Sequence, residues 1–542
     1  MTKQSDESCQ DTIRELNRAA HPLSFWPPSL DRRSATVCEL IERAGRVCNT
    51  IALPTLCAFL LDNQNSIRTA ACRSIDLIVR QWASDLEFCD DKHLLLRSYV
   101  SEQWACLKTA DIERLIAVQS CRCSILGVLS NHASGFVRQE AVKLLSAQSN
   151  GQEFPFLLLR LNDWVQPVRA DAERAMNARL TQGYIQHVVA HLPRIVHLLA
   201  FKRNDHSQTV REAFSLLAAP TNDSLLRNAI AHRDRNTRRC VLKTLQSLGS
   251  EAAQRAVRYG LQSSDSVMRL WSLRQASNLF SSHELSEVVE KCMADRSMPV
   301  RREALLRKTE SADSPQSAVA LWKVALLDRN GAIRDLAQCR LGQMGHEVAS
   351  TYRKTLENEP RSVPALSGLS ETGDSTDETL FRRYINDATQ TRRRAALRGL
   401  CRVLKDRFVV ELVERLHDNS PKVTREIERL LRDWMHVVSL PQLYQTAAED
   451  IRPHVQSSAL RLIYFSGKWT SLPWLLRSVC HPRPETGKHA EALIWRWLTC
   501  NRVFTRPATH NREQLLAALD AVASIAPENL LHALRQDVER YV

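Results

Sequence analysis

Glycine is scarce in this chain, with 15 glycines among 542 residues, or 2.8%, where ~7% is usual. Tight β-hairpin turns and phosphate-binding loops both need glycine at fixed positions. The scarcity therefore argues against a hairpin-rich β architecture and against a nucleotide-binding loop. Gly487-Lys488 does not form such a loop, because it lacks the upstream glycine and the following serine or threonine.

Long apolar runs are also missing. Residues 1–24 are polar and charged, without the apolar core of a secretory signal. The most apolar stretch, residues 51–61, is far shorter than the ~20 residues of a membrane span. We expect a cytoplasmic protein with no membrane association.

Paired metal ligands and catalytic motifs are absent as well. The 15 cysteines are scattered, and only Cys121 and Cys123 lie close together. A zinc site would need closely paired cysteines or histidines, and His187 with His191 has no identifiable third ligand. No Gly-x-Ser-x-Gly or His-Glu-x-x-His motif occurs. We expect free thiols, no cofactor, no metal and no catalytic residue, with a redox or metal role for Cys121 and Cys123 as the alternative.

The composition is that of a folded chain with a basic excess. Hydrophobic residues make up 44% and charged residues 25% of the sequence, which excludes wholesale disorder. The net charge is +14, from 74 basic and 60 acidic residues. This balance leaves acidic partners open without naming one.

What the sequence does contain is a repeat. The motif apolar–Arg–x–x–Ala occurs at Arg138 and again at Arg169, 31 residues later. Arginines in the same register follow at spacings of 31 to 33 residues, at Arg238, Arg269, Arg301 and Arg334. Apolar residues continue from the motif at helical spacing. A fixed period of this size predicts an α-solenoid, because ~31 residues hold two short helices and two turns.

An aspartate six positions before the arginine marks the break between the two helices of a unit. These pairs predict a structural ladder formed by Asp62 and Arg68, Asp163 and Arg169, Asp205 and Arg211, Asp295 and Arg301, Asp328 and Arg334, and Asp387 and Arg393. Aspartate at such a break can cap the second helix. Its carboxylate can also meet an arginine of the adjacent unit.

The Asp-x₅-Arg pairs and Arg-x-x-Ala steps resemble HEAT repeats, and their short period resembles bacterial HEAT-like repeats of the phycobilisome-lyase type. The resemblance covers roughly residues 35–480. It implies an all-α fold of antiparallel helix pairs stacked into a right-handed superhelix of about fourteen units. We predict a polar N-terminal tail over residues 1–30, the solenoid over 31–480 and a helical capping region over 481–542.

A second arginine often stands beside the ladder position. The candidate partner-binding residues are Arg238, Arg239, Arg302, Arg392 and Arg394. Equivalent positions of a solenoid align along one face, so these arginines would form a basic stripe for an acidic protein or for nucleic-acid phosphates. The alternative is a solvated face without a partner. No known nucleic-acid-binding motif supports the phosphate interpretation.

Four tryptophans near the C-terminus admit two interpretations. They are Trp469, Trp474, Trp495 and Trp497. Packing in the core and the cap is the first, and an aromatic contact to a peptide or base is the second.

The function predicted from these features is a non-enzymatic scaffold that binds a protein partner on its concave helical surface. One alternative is a nucleic-acid-binding protein, resembling the HEAT-like DNA glycosylases that use a tryptophan-lined groove and a catalytic aspartate. An aspartate and a tryptophan are neighbours at Asp163-Trp164, but Asp163 already belongs to the ladder. A lyase-like assembly factor is the other alternative.

The ladder register makes a prediction about two neighbouring arginines. We expect Arg301→Ala to destabilise the protein by about 3 kcal/mol and Arg302→Ala by only ~0.5 kcal/mol, because only Arg301 is in phase with an aspartate. Urea unfolding of both variants measures this. Equal midpoints, or a larger loss for Arg302→Ala, would contradict the register.

Overall fold

The computed structural model describes residues 3–20, 30–48, 50–84, 102–500 and 505–540, and these residues contain helices and turns but no strand. The chain divides into two units, Met1–Ala304 and Leu305–Val542. Within each unit the helices follow one another as short antiparallel pairs.

The helices of the first unit, the last of which crosses the division, are α1 (Lys3–Ala20), α2 (Leu30–Val47), α3 (Leu53–Phe59), α4 (Asn65–Ser84), α5 (Glu102–Ala105), α6 (Ile112–Leu115), α7 (Arg122–Leu129), α8 (Gly135–Ser146), α9 (Phe154–Arg160), α10 (Gln166–Asn177), α11 (Ile185–Ala190), α12 (Leu192–His197), α13 (Ser207–Leu217), α14 (Asp223–Ile230), α15 (Arg235–Gln246), α16 (Ser250–Leu261), α17 (Ser266–Leu279), α18 (Ser282–Met293) and α19 (Met298–Glu310).

The helices of the second unit are α20 (Pro315–Ala325), α21 (Gly331–Gln343), α22 (Val348–Asn358), α23 (Val363–Thr372), α24 (Glu378–Tyr384), α25 (Gln390–Leu404), α26 (Val409–Glu414), α27 (Pro421–Leu431), α28 (Leu440–Glu449), α29 (Pro453–Phe465), α30 (Lys468–Val479), α31 (Pro484–Thr499), α32 (Thr509–Ala521) and α33 (Glu528–Glu539).

Helices one repeat apart pack against each other, as α8 does with α10, and α25 with α27. The alanine of the Arg-x-x-Ala step lies at these contacts, and Ala141, Ala172 and Ala396 are completely buried. A small side chain lets the two helix backbones approach closely. The predicted all-α, HEAT-like solenoid is therefore confirmed, while its right-handedness and its lyase-type variety stay predictions.

The ladder arginine occupies the fourth position of its helix. Side chains on a helix point toward its N-terminus, so this position reaches the turn that precedes the helix. Arg169 Nη1 donates to the carbonyls of Asp163, at 2.7 Å, and Trp164, at 3.1 Å. The same bond to the carbonyl six residues earlier is made by Arg68, Arg138, Arg238, Arg269, Arg301, Arg334 and Arg393. Each arginine thereby satisfies carbonyls that no helix can pair.

The aspartate carboxylates pair with groups other than the arginine six residues later. Asp163 accepts the backbone N–H of Val165 at 2.9 Å, so it closes the turn rather than capping the helix itself. Its carboxylate also accepts Arg138 Nε and Nη2, from the repeat before, at 2.9 Å each. Arg269 pairs with Asp295 in the same way, at 2.8 Å between Nε and Oδ2. The ion pairs thus join consecutive repeats.

The predicted pair Asp205 and Arg211 does not follow this pattern. Helix α13 begins at Ser207, so its fourth position is the buried Val210 and Arg211 is the fifth. One residue turns a side chain by ~100° around the helix. Arg211 is exposed and donates to the carbonyl of Ser247 at 3.2 Å, while Asp205 accepts the N–H of Ser207 at 2.9 Å.

The described residues at both ends of the chain are helical, and the predicted domain boundaries stay predictions. The expected polar tail is helical over Lys3–Ala20, where Cys9, Thr12 and Leu16 are buried at helical spacing, while residues 21–29 lie outside the described part. At the other end, α31 packs against α29 and α30. Thr486 Oγ1 donates to Gln456 Oε1 at 2.7 Å, so the stack continues past residue 480.

The enclosed pair of Arg138 and Asp163 generates a stability prediction. Burial opposes ionisation of Asp163, but bonds from Arg138 and Val165 N–H and the charge of Arg160 outweigh it and lower its pKa. We expect Arg138→Met to cost about 3–5 kcal/mol, because it leaves a buried carboxylate with fewer partners. Urea unfolding at neutral pH measures this against Arg174→Met, whose 77%-exposed side chain pairs with Asp171 and is worth under ~1 kcal/mol.

The same pair fixes the direction of the acid response. A carboxylate with a lowered pKa contributes stability above its unfolded pKa of ~3.9, and this contribution is lost as pH falls through the folded pKa. The stability gap between wild type and Arg138→Met should therefore narrow below about pH 4. A gap that is constant with pH, or a loss equal to that of Arg174→Met, would contradict this account.

Candidate functional site

The predicted partner-binding arginines are mostly occupied by carboxylates of the protein itself. In the first unit, Arg239 Nε donates to Asp265 Oδ2 at 2.9 Å, and Arg238 Nη2 lies 3.6 Å from the same oxygen. Asp265 therefore neutralises both arginines. Arg302 is exposed and makes no hydrogen bond or ion pair within the described residues.

The second unit repeats this neutralisation. Arg392 Nη2 lies 2.9 Å from Asp387 Oδ1, and Arg394 Nη2 lies 2.7 Å from Glu426 Oε2. Four of the five arginines of the predicted stripe are thus held in local ion pairs, with Arg302 as the exception. The reason is that neighbouring repeats bring carboxylates, such as Glu426, that are distant in sequence.

A concentration of positive charge does exist, on the outward face of α27. Lys422, Arg425, Arg429 and Arg432 are exposed and lie on one side of this helix, at spacings of three and four residues. Together with Arg394 of α25 they line a shallow groove of about 380 Å³. We call this the α25–α27 groove. Its lining has five cationic side chains and one carboxylate, that of Glu426.

Glu426 organises the arginines of the groove. Its side chain is only 5% exposed, and its two oxygens accept from different residues: Oε2 from Arg394, at 2.7 Å, and Oε1 from Arg429, at 2.6 Å. Burial opposes its ionisation, but the bonds from Arg429 and Arg394 and the charge of Arg398 outweigh burial and lower its pKa. The residue is a fixed anion that holds two guanidinium groups beside each other.

Arg398 is the unusual member of this region. It follows Arg394 by one turn of α25, is half-buried, and makes no hydrogen bond or ion pair within the described residues. Burial lowers its pKa, and the charges of Arg394 and Arg429 lower it further, against the opposing effect of Glu426. The Nε of this partly desolvated guanidinium thus has no partner in the described part of the chain, although its charge interacts with Arg394, Glu426 and Arg429 of the groove.

Packing behind the groove fixes α25 in place. Gly399, the residue after Arg398, faces the ring of Phe381 from α24, and a Cβ at this position would lie 2.5 Å from the ring. Both residues are completely buried or nearly so. The position of Arg398 therefore depends on a close helix contact that only glycine allows.

Another buried glutamate of α27 connects this helix to the next repeat. Glu428 is 2% exposed and pairs with Arg432, at 2.6 Å, and with Arg461 of α29, at 2.7 Å. Arg432 also lies 4.0 Å from the centre of the Phe465 ring. Arg432 is therefore partly neutralised, whereas Lys422 and Arg425 make no ion pair within the described residues.

Of the residues that line the groove, only Arg394 was predicted from the sequence to bind a partner. The signal for the others was present in Pro421–Leu431 and the following Arg432, where four cations share one helical face. The buried positions of Glu426 and Glu428 on the opposite side gave no such signal, because a glutamate between arginines is typical of a solvated helix.

The C-terminal tryptophans pack against neighbouring residues. Trp497 stacks on Tyr464 with ring centres 4.5 Å apart, and its Nε1 donates to Ser471 Oγ at 3.2 Å. Trp469 is buried and donates to the carbonyl of Thr505 at 2.7 Å. Partly buried contacts also hold Trp474 against Tyr444 and Trp495 against Glu491. These contacts favour the packing interpretation.

The histidines and cysteines considered as ligands lie in packed surroundings. His191 stacks on Phe154 with ring centres 5.7 Å apart, and burial lowers its pKa to about 3. Cys121 and Cys123 are buried free thiols, and burial raises the pKa of Cys123 to about 12. Within the described residues, no three potential ligands come together to hold a metal ion.

Asp163 and Trp164 are also accounted for by the fold. Both carboxylate oxygens of Asp163 accept hydrogen bonds, from Arg138, Arg160 and the N–H of Val165, and its side chain is 0% exposed. Trp164 is 57% exposed, with Arg138 5.3 Å from its ring centre. The aspartate is thus enclosed by its ladder partners and does not line a groove.

Comparison with known proteins gives a resemblance of architecture. No protein-family model matches the chain, and no curated protein does. Crystal structures of the karyopherin Kap121p are similar: Kap121p bound to Nup53p has 13% identity and a TM-score of 0.27, and Kap121p bound to RanGTP has 12% identity and a TM-score of 0.27. Each match covers 97% of this chain and 56% of the karyopherin. At this TM-score no residue of Kap121p can be assigned an equivalent here.

Among the described residues, no helix is long and apolar enough to cross a bilayer.

The role of Glu426 generates a prediction. Replacing it by glutamine leaves Arg394, Arg398 and Arg429 without their shared anion. We expect Glu426→Gln to cost about 1–2 kcal/mol at low salt, less than a fully enclosed pair because both bonded arginines reach solvent. High salt should shrink this loss, since it screens the repulsion.

Urea unfolding at two salt concentrations measures both effects. Glu449→Gln, an exposed glutamate of α28, is the matched control and should change stability by less than ~0.5 kcal/mol. Wild-type stability in Glu426→Gln at low salt would show that Glu426 does not hold the arginines together.

Proposed function

We propose that this protein is a non-enzymatic HEAT-like scaffold that binds an acidic segment of a protein partner in the α25–α27 groove. The single observation that carries the proposal is the composition of the groove: five cations and one carboxylate. Several ladder arginines are neutralised by a carboxylate of the following repeat, as Arg138, Arg269 and Arg393 are. In the groove, by contrast, five cationic side chains share the lining with one carboxylate.

The exposed cations suit an extended acidic peptide. Lys422, Arg425 and Arg429 are spaced along α27 over two helical turns, so they span ~10 Å of the helix axis. Successive acidic side chains of an extended chain can meet cations at this spacing. Because neither Lys422 nor Arg425 has an ion pair in the described residues, binding breaks no internal contact of theirs.

The groove chemistry favours binding over catalysis. Its one carboxylate, Glu426, has a lowered pKa and is held by two arginines, which makes it a poor proton donor or acceptor near neutral pH. Cys401, whose thiol feels the charges of Arg429 and Glu426, has a pKa raised by burial to about 12. It is therefore a protonated thiol at neutral pH, and a weak nucleophile.

A charge-reversal experiment tests the proposal. The variant Lys422→Glu with Arg425→Glu should weaken binding of a fluorescent 12-residue glutamate–glycine peptide by about tenfold or more, because like charges now face the peptide. Fluorescence anisotropy at several salt concentrations measures the affinity, which should fall as salt rises.

The control carries the same change of net charge elsewhere in the second unit. Arg512→Glu with Arg535→Glu replaces two exposed arginines of α32 and α33 and should leave peptide affinity within about twofold of wild type. Equal losses in the two double variants would mean that the peptide responds to net charge and not to the groove, and the proposal would fail.

A further inference from the structure

The α25–α27 groove holds more positive charge than one carboxylate of a bound peptide could neutralise. Arg394 and Arg429 share Glu426, and Arg398 interacts with all three. Arg425 and Lys422 form no ion pair with any described residue. An acidic side chain brings one negative charge and two oxygens. A phosphoryl group brings nearly two charges and three strong acceptor oxygens at one point.

We propose that the acidic segment carries a phosphorylated serine or threonine, and that the α25–α27 groove binds its phosphoryl group with Arg398 as the innermost contact. This inference rests on the proposed function and names the partner's chemistry. Arg425 and Lys422 bind the outer oxygens, and Glu426 holds Arg394 and Arg429 in position around the group.

The state of Arg398 is the main support. A half-buried guanidinium has lost part of its hydration, and the charges of Glu426 and Glu371, which act on Arg398 without forming an ion pair, do not outweigh that loss. Its Nε is buried and has no partner in the described residues. Four other arginines, Arg160, Arg238, Arg255 and Arg392, also have a buried Nε without a partner, but each of them forms an ion pair through another nitrogen. Arg398 has no ion pair within the described residues, and an unsatisfied buried polar group of this kind calls for an explanation such as an absent ligand. A bound anion would supply both the charge and the hydrogen bonds.

The chemistry of arginine favours a phosphoryl group as that anion. The guanidinium presents a planar fork of N–H donors that matches two phosphate oxygens at once, and charge-assisted bonds of this kind are about twice as strong as neutral ones. All five of the groove's cations and Arg398 lie within α25 and α27 or one residue beyond α27. The donors are thus fixed on two packed helices rather than on loops, which lowers the entropic cost of binding.

A nucleic acid fits the groove less well. Single-stranded nucleic acids need aromatic platforms as well as cations, and the groove is lined by Arg394, Lys422, Arg425, Glu426, Arg429 and Arg432, none of which is aromatic. A longer backbone needs cations that continue from repeat to repeat. Arg392 and Arg393, the adjacent candidates, are already paired with Asp387 and Asp418.

Four probes test the inference by fluorescence anisotropy with the full chain. They are a 12-residue glutamate–glycine peptide with a central phosphoserine, the same peptide with serine, the same peptide with glutamate, and a single-stranded 15-nucleotide DNA. We expect the phosphoserine peptide to bind about 10- to 100-fold more tightly than the serine peptide, as charge-assisted bonds to an anion imply.

Arg398→Gln is the decisive variant. It removes an unpaired charge, so the free protein should unfold at an equal or higher urea concentration. It should nevertheless lower phosphoserine-peptide affinity at least about tenfold and change serine-peptide affinity less than about threefold. Arg407→Gln, which removes an exposed arginine outside the groove, is the control and should change neither.

Each outcome decides one of the two proposals. Phosphoserine, glutamate and serine peptides binding equally would overturn this inference while leaving the acidic-partner function in place. No binding of any peptide to wild type would overturn the proposed function itself. DNA binding that is tighter than phosphopeptide binding and is lost in Arg398→Gln would show that the partner class is nucleic acid.

Discussion

The bond from the fourth residue of a helix to the carbonyl six residues earlier is the contact on which the rest of the stack depends. A turn between helices leaves carbonyls that no helix can pair, and a side chain that reaches back to them satisfies them. Arginine does this in most repeats. Thr424 and Gln456 do it in α27 and α29, donating to the carbonyls of Asp418 and Asp450. These repeats therefore share a side-chain donor that is charged in some and neutral in others, while α13, with Val210 at this position, has none. In the arginine repeats the guanidinium has a second edge that can pair with a carboxylate of the next repeat.

The change from arginine to threonine at the fourth position of α27 explains where the α25–α27 groove lies. Arg393 still pairs with Asp418 of the following turn, but α27 has no ladder arginine of its own, and its link to neighbouring repeats passes through two buried glutamates. Glu426 pairs back to Arg394 in α25, and Glu428 pairs forward to Arg461 in α29. With the acidic residues of the helix turned inward, its basic residues are left together on the outer face. The site is thus a consequence of how this repeat solves the common packing problem.

Several features could be predicted from the sequence because they depend on neighbours along the chain. The 31-residue period, the helix that follows each aspartate and the burial of the alanine three residues after the arginine are all local. The exception at Arg211 also has a local cause, but it depends on a one-residue difference that the repeat pattern does not show. Asp205 lies two residues before its helix and Asp163 lies three, and this single residue moves Arg211 out of the ladder. A spacing of six between aspartate and arginine does not report where the helix begins.

The sequence by itself determined the class of fold, since a repeated apolar face at helical spacing can bury itself only against copies of itself. It also placed a basic excess among repeated arginines. Which arginines remain free was decided only by the tertiary structure, because a partner such as Glu426 for Arg394 or Asp265 for Arg239 comes from a neighbouring repeat, 26 to 32 residues away. Charge is neutralised by whatever lies within a few ångströms in space. For that reason the unpaired Arg398 becomes visible only once α24, α25 and α27 are packed together.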